Sequence, residues 1–92
     1  MRLTKRDIEG LNIDALRPWL LRHGWRFSEA CSTDMALMTP DGGQESFRVP
    51  TVRPTLIRAE FIDVITALVR EVARTEGITQ KVAFDRMPRV GQ

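Results

Sequence analysis

The sequence predicts an α+β fold: a three-stranded antiparallel sheet covered by two helices, followed by a short C-terminal helix. Two observations support this prediction. Residues 14–23 and 56–76 carry apolar side chains at helical spacing, and three short segments between them, 25–32, 35–39 and 46–49, have the alternation or composition of strands. The resulting order is α-β-β-β-α. One sheet face must be covered, and the two helices are the available cover, so two layers are expected.

The first helix is predicted within 13–23, with Asn12 or Asp14 as its cap. Its apolar positions recur at helical spacing through Trp19 and Leu20. His23 is expected in the last turn, where a cation favours the negative end of the helix dipole. Gly24 can supply the left-handed residue that ends the helix.

The three strands follow in sequence. Trp25 and Phe27 are expected to face inward on the first strand. The Asp-Gly-Gly sequence at 41–43 predicts a hairpin between the second and third strands. On the third strand Arg48 is expected to face outward, and Pro50 ends the strand because it cannot donate to a ladder.

The long helix is predicted from Thr55 or Leu56 to Glu76, with Gly77 as its stop. Thr79 is the expected cap of the short last helix, and the final residues 89–92 are expected to be loose. The apolar stripe of the long helix consists of Phe61, Val64, Ile65, Leu68, Val69 and Val72.

Length and composition bound the organisation and the class of function. Ninety-two residues, 42% hydrophobic and 28% charged, predict a single domain over 1–92. Within it, 1–12 is expected to be an N-terminal arm or short helix, 13–77 the core, and 78–88 the short C-terminal helix. The apolar runs are too short for a membrane span. One cysteine fits a reducing cytoplasm, and the sequence has no metal-ligand spacing and no cofactor motif.

Charge is segregated along the chain and gives two sets of candidate site residues. Residues 27–47 carry four acidic side chains and no basic one, and 48–58 then carry three arginines and no acid. The arginines Arg48, Arg53 and Arg58 are candidates for binding nucleic-acid phosphates. The acidic residues are candidates for binding a basic partner surface. They are Glu29, Asp34, Asp41 and Glu45.

Apolar side chains offer a further set of candidate partner contacts. Met35 and Met38 are adaptable residues at the start and near the end of the second strand. Trp19 or Trp25 could anchor an interface. The stripe of the long helix is wider than three short strands need, which leaves apolar surface for a partner or a second copy of the chain. A homodimer therefore remains open.

Residues 16–50 combine a helix followed by Gly24 and Trp25, a Pro-Asp-Gly turn at 40–42 and a strand that closes on Val49 and Pro50. With this combination the segment resembles the front of HicA-type toxins, small mRNA interferases with the double-stranded-RNA-binding-domain fold. Gly24 and Trp25 match a helix that ends in glycine and an aromatic or apolar residue. The turn at 40–42 matches a Pro-Asp-Gly turn, and Val49 with Pro50 matches the close of a strand. The resemblance extends over about residues 15–70. It implies the same fold and a bacterial or phage setting.

The chain departs from that family at the catalytic position. The interferases carry Gly-Ser-His at the entry to the second strand, where the histidine cleaves RNA. The aligned positions here are Ser32, Thr33, Asp34 and Met35, without a histidine. Such cleavage requires a group that takes and gives a proton near neutrality. The fold is therefore expected to carry over without the activity.

Three functions remain after these arguments. The first is a non-enzymatic bacterial or phage regulator or inhibitor that binds a protein or a protein–nucleic-acid complex, in a toxin–antitoxin, defence or counter-defence setting. The second is a double-stranded nucleic-acid-binding module that uses the three arginines. The third is a HicA-like ribonuclease. A Cys31–His23 dyad would also need an orienting residue and an oxyanion site, and the sequence marks neither, so no catalytic residue is assigned.

Overall fold

The computed structural model describes residues 2–30 and 34–91 and confirms the α+β class. Cys31, Ser32 and Thr33 lie outside the described residues, as does any dyad with Cys31. The elements are helix α1 (Lys5–Glu9), a 3₁₀ turn (Ile13–Ala15), helix α2 (Leu16–Arg22), strands β1 (Arg26–Ala30), β2 (Met35–Thr39) and β3 (Phe47–Pro50), and helices α3 (Ala59–Glu76) and α4 (Gln80–Arg86).

The sheet is the predicted antiparallel meander, with strand order β1-β2-β3. Leu37 of β2 pairs with Arg48 of β3, and Met38 pairs with Phe47. Successive side chains alternate between the two faces of a strand. Met38 and Val49 are therefore buried beneath the helices, while Arg48 is exposed on the opposite face.

The apolar stripe of α3 forms the centre of the core, as its periodicity predicts. All six stripe residues are buried, and Ile65 and Leu68 are fully enclosed. The helix ends as predicted at Gly77, whose φ of 66° is left-handed, and the N–H of Gly77 donates to Ala73. Its start is later than predicted, because Arg58 is extended (φ −99°, ψ 167°) and the helix begins only at Ala59.

Helix α1 confirms the short-helix interpretation of the N-terminal segment. Thr4 and Asp7 form a reciprocal capping box, in which each side chain accepts from the backbone N–H of the other residue. Ile8 and Leu11 are completely buried in the core. The segment is therefore part of the packed domain and not a free arm.

The C-terminal residues also pack on the domain, so the expectation of a loose end is wrong through residue 90. The N–H of Asn12 donates to Pro88 O at 2.9 Å, and the N–H of Val90 donates to Gly10 O at 3.0 Å. These bonds flank an antiparallel bridge between Leu11 and Arg89. Helix α4, capped by Thr79 as predicted, thereby closes against the start of the chain.

The first strand keeps the predicted alternation as far as Phe27, which pairs with the buried Met38 and therefore lies on the same face. Trp25 is buried just before β1, but Phe27 is 46% exposed at the sheet edge, where the guanidinium of Arg17 lies 4.9 Å from its ring centroid. The register slips between Phe27 and Glu29, which places a β-bulge in this strand. The regular alternation expected from the sequence therefore ends at the bulge.

The connection between β2 and β3 spans seven residues, with the Pro-Asp-Gly-Gly sequence at its start. The N–H of Gly43 donates to Pro40 O at 3.0 Å, and Gly42 has a φ of 76°, as position i+2 of a type II turn requires. Gly24, at the end of α2, has a φ of 89° and lies against this turn at Asp41.

Gly24 and Gly42 provide a matched test of this contact. A Cβ at Gly24 would lie 3.1 Å from Asp41 Cβ, whereas a Cβ at Gly42 would meet nothing within 4 Å. Both positions are left-handed, which costs an alanine about 1–2 kcal/mol. We expect Gly24→Ala to lower the free energy of unfolding in urea by about 1 kcal/mol more than Gly42→Ala, because the first substitution also crowds the turn.

Asp41→Gly removes the crowding atom and serves as the control. In that background the excess cost of Gly24→Ala over Gly42→Ala should disappear. An equal cost for the two alanines in the unmodified chain would contradict the packing of the turn against the end of α2.

Candidate functional site

The structure separates the three candidate arginines into two roles. The guanidinium of Arg53 donates through Nη2 to Glu9 O at 3.2 Å and to Leu11 O. It therefore binds backbone carbonyls at and just after the end of α1, where carbonyl groups have no partner within the helix. Arg53 joins the crossing segment between β3 and α3 to the N-terminal helix, and its Nη2 is already engaged within the domain.

Arg48 and Arg58, in contrast, come together on the surface. Both are exposed, and both line one hollow of about 290 Å³ between the end of the sheet and the start of α3. The four ion pairs found between described residues involve neither Arg48 nor Arg58. The remaining lining is mainly apolar and includes Met35, Pro54, Leu56, Phe61 and Val64, with Glu60 at the side.

The four acidic candidates do not form one patch. Asp34 and Asp41 stand at opposite ends of the five-residue strand β2, which spans about 17 Å. Glu29 lies on β1 opposite Leu37, and Glu45 lies in the connection between β2 and β3. The four carboxylates therefore do not form a single acidic surface for a basic partner.

Glu45 belongs to a local charge cluster with α3. The Nε of Arg74 donates to Glu71 Oε1 at 2.7 Å, and Glu71 is almost entirely buried. This hydrogen bond, with the charge of Glu71 and a smaller effect of Glu45, raises the pKa of Arg74 above its ordinary value. The charge of Arg74 is thus paired with a carboxylate within the domain, whereas Arg48 and Arg58 take part in none of the ion pairs between described residues.

The two methionines separate in the same way. Met38 is fully buried beneath the helices, so the expectation that it contacts a partner is wrong. Met35 is half-buried and lines the hollow with Arg48. Trp19 and Trp25 are also buried, which removes both as surface anchors. Trp19 instead stacks on His23 at 4.2 Å between centroids, and His23 Nδ1 lies 3.4 Å from Glu76 Oε2.

A groove runs between β3 and α3, and we call it the β3–α3 groove. Its middle part, about 260 Å³, is lined by Ser46, Phe47 and Arg48 on one side and by Asp63, Val64, Ala67 and Leu68 on the other. It shares Arg48 and Val64 with the arginine hollow and Phe47 with a third hollow beside Glu45 and Arg74. Successive strand residues point to opposite faces, so three consecutive ones can line a groove only along the strand's edge.

Sequence reasoning missed Leu56, an exposed apolar side chain that lines the hollow with Arg48 and Arg58, and Val52, a second exposed apolar side chain in the same segment of the chain. Leu56 is 61% exposed and Val52 is 52% exposed, both in the crossing segment between β3 and α3. Their exposure carries no periodic signal, because the segment is neither helix nor strand. The only local indication is Pro54, which breaks both patterns between them.

Comparison with known proteins assigns the chain to no family. No family model, no curated protein and no solved structure matches the chain. The HicA-like resemblance thus stays a prediction from the sequence. Within residues 2–30 and 34–91, no helix is long and apolar enough to cross a membrane, and no group of three potential metal ligands is found.

The different roles of Arg53 and Arg58 can be tested by comparing the free energies of unfolding of their alanine variants. We expect Arg53→Ala to lower the free energy of unfolding by about 1.5–3 kcal/mol, because two backbone carbonyls lose a charged donor. Arg58→Ala makes the same change of charge at a side chain without a hydrogen bond in the described structure, and should stay within about 0.5 kcal/mol. Urea unfolding of both variants makes the comparison; equal effects would contradict the structural role of Arg53.

Proposed function

We propose that this protein is a non-enzymatic cytoplasmic regulator or inhibitor that acts by binding a protein or a protein–nucleic-acid complex at the β3–α3 groove. The setting we infer is bacterial or phage toxin–antitoxin, defence or counter-defence, which follows from the HicA-like resemblance. The observation that carries the proposal is the hollow at one end of the groove, where two exposed arginines and several apolar side chains line the same surface.

The composition of this surface favours protein recognition. Arginine and methionine are enriched at protein interfaces, and an apolar centre with charged groups around it is the usual arrangement there. Leu56, which lines the hollow, adds exposed apolar area beside the arginines. Exposed side chains of this size cost little in a free domain and gain most when a partner removes them from water.

A nucleic-acid target is the second candidate, and it is less well supported. Arg48 and Arg58 could each contact a phosphate, but Arg53 already donates to two carbonyls, and Glu60 and Asp63 stand beside the remaining pair. Two phosphate contacts give weak binding that salt suppresses. The lack of a histidine at the aligned catalytic position likewise disfavours the ribonuclease interpretation.

The test of the proposal is affinity capture from the cells in which the chain is naturally made. Arg48→Glu/Arg58→Glu should reduce recovery of a co-purifying protein at least tenfold, which corresponds to about 1.4 kcal/mol of binding free energy. The matched control is Lys5→Glu/Arg86→Glu, which makes the same double charge reversal at exposed residues of α1 and α4. The control should recover the partner as the unmodified chain does.

Recovery of the same protein by both double variants would contradict the groove as the binding site. Recovery of no protein by the unmodified chain, with crosslinking before lysis, would count against protein binding altogether. Thermal unfolding of each variant establishes that the loss of recovery does not come from loss of the fold.

Fluorescence anisotropy with labelled duplex RNA and duplex DNA tests the second candidate separately. We expect no saturable binding at moderate salt, because only two of the three candidate arginines line the same hollow and Glu60 lies in its lining. Tight binding that weakens with salt and disappears in Arg48→Glu/Arg58→Glu, but persists in Lys5→Glu/Arg86→Glu, would replace the protein target with a nucleic acid.

A further inference from the structure

The hydrogen-bond pattern of the sheet fixes which backbone groups of β3 face outward. Beyond the last pair of the β2–β3 ladder, the N–H of Thr51 donates to Asp34 O at 2.8 Å, so residues 34 and 51 form a hydrogen-bonded pair. Such pairs alternate along an antiparallel ladder. Val49 and Phe47 therefore bond to β2, whereas Arg48 directs both its N–H and its C=O away from β2, along the groove side.

The outward positions of β3 are residues 48 and 50, and the same alternation makes residue 46, just before the strand, an outward position as well. Pro50 has no N–H, so it can accept but not donate at this edge, and a ladder built on β3 ends there. Ser46 and Arg48 each have one donor and one acceptor. The edge can thus hold a short extended segment, of a few residues, centred opposite Arg48.

The other edge of the sheet is less suited to such pairing. Strand β1 carries the bulge between Phe27 and Glu29, and Arg17 lies over the exposed ring of Phe27. Bulges twist an edge strand away from a regular ladder. Strand β3 has an uninterrupted register, and a groove with α3 runs along its free side.

A second copy of the chain fits this edge poorly. In a symmetric antiparallel pairing of two β3 strands, outward residues must face outward residues, so Arg48 meets Arg48, Ser46 or Pro50 of the second copy. The first register sets two guanidinium groups opposite each other, which is destabilising. The other two leave Arg48 without a carboxylate. The charge of Arg48 thus selects a different partner.

The faces of the strand define the partner's side chains. A residue of an added strand that lies opposite Arg48 projects on the open face, where a carboxylate would pair with the guanidinium. Its two neighbours lie opposite Phe47 and Val49 and project toward α3, where Val64, Ala67 and Leu68 offer apolar contacts. Asp63 on the helix side disfavours an acid at those neighbours.

We propose that the occupant of the groove is an extended peptide segment that adds to β3 as an antiparallel fourth strand and carries an apolar–acidic–apolar sequence, with the acid opposite Arg48. This inference rests on the proposed function and specifies its partner. Backbone pairing supplies affinity in this mode, and the alternating side chains supply specificity.

The probe is a capped synthetic peptide, Ser-Thr-Val-Glu-Val-Thr-Ser, titrated into the ¹⁵N-labelled full chain and followed by amide chemical shifts. The largest shifts should fall on Arg48 and its neighbours in β3, and hydrogen exchange of the Arg48 amide should slow on binding. The matched peptide Ser-Thr-Val-Lys-Val-Thr-Ser should bind about fivefold more weakly, because it places a like charge opposite Arg48.

Two substitutions distinguish the contribution of the Arg48 backbone N–H from that of the Arg48 side chain. Arg48→Gln keeps the outward N–H, so it should bind both peptides with similar affinity. Arg48→Pro removes the outward donor without removing a bond to β2, and it should abolish binding of both peptides. If Arg48→Pro does not fold, Arg48→Gln and the two peptides still decide the question.

The inference is overturned if the peptide causes no shifts, if the shifts map to β1 or to the α4 surface, or if the lysine peptide binds equally well. Failure of the peptide with capture that still depends on Arg48 and Arg58 would mean that the groove binds its partner in another mode, and the proposed function would stand. If the peptide does not bind and the capture does not depend on Arg48 and Arg58, both this inference and the proposed function are overturned.

Discussion

The fold depends on the mismatch in size between one long helix and a small sheet. Helix α3 has 18 residues and a length of about 27 Å, whereas strands of four or five residues extend only about 17 Å. Its apolar stripe must nevertheless be buried along the whole length. Helix α4 and the N-terminal helix α1 supply the missing cover, and they place Ile8, Leu11 and Phe84 in the same core as the sheet. The two ends of the chain are consequently joined by the bonds between 10–12 and 88–90.

The sequence predicted the parts of the fold that depend on local patterns, and it missed the contacts between distant segments. The stripe of α3, the stop at Gly77, the cap at Thr79 and the end of β3 at Pro50 are determined by neighbouring residues, so local patterns revealed them. The packing of the chain ends was not predictable in this way. It includes the pairing of residues 10–12 with residues 88–90, and a short pairing between distant residues leaves no periodic signal in either segment.

The candidate site shows the same limit. The sequence identified Arg48 and Arg58 and placed Arg48 correctly on the open face, because strand parity is a local property. It gave Arg53 the same role, since nothing in its surroundings indicates that its partners are backbone carbonyls at residues 9 and 11. It also grouped Met35 with Met38, although the three-residue spacing of a strand places them on opposite faces. Parity would have separated these two before the structure did.

An edge strand that binds a partner has two requirements that usually conflict: it must leave its edge open to that partner, and it must avoid pairing with other chains. An open edge invites uncontrolled pairing, and proteins limit it with a charged side chain or a proline. Strand β3 has both, in Arg48 and Pro50, and both lie at outward positions. Proline shortens the usable ladder, and arginine makes pairing with an identical strand unfavourable while a strand with a carboxylate remains acceptable. The features that protect the free chain from its own copies therefore also define the chemistry of the one partner that the edge would admit.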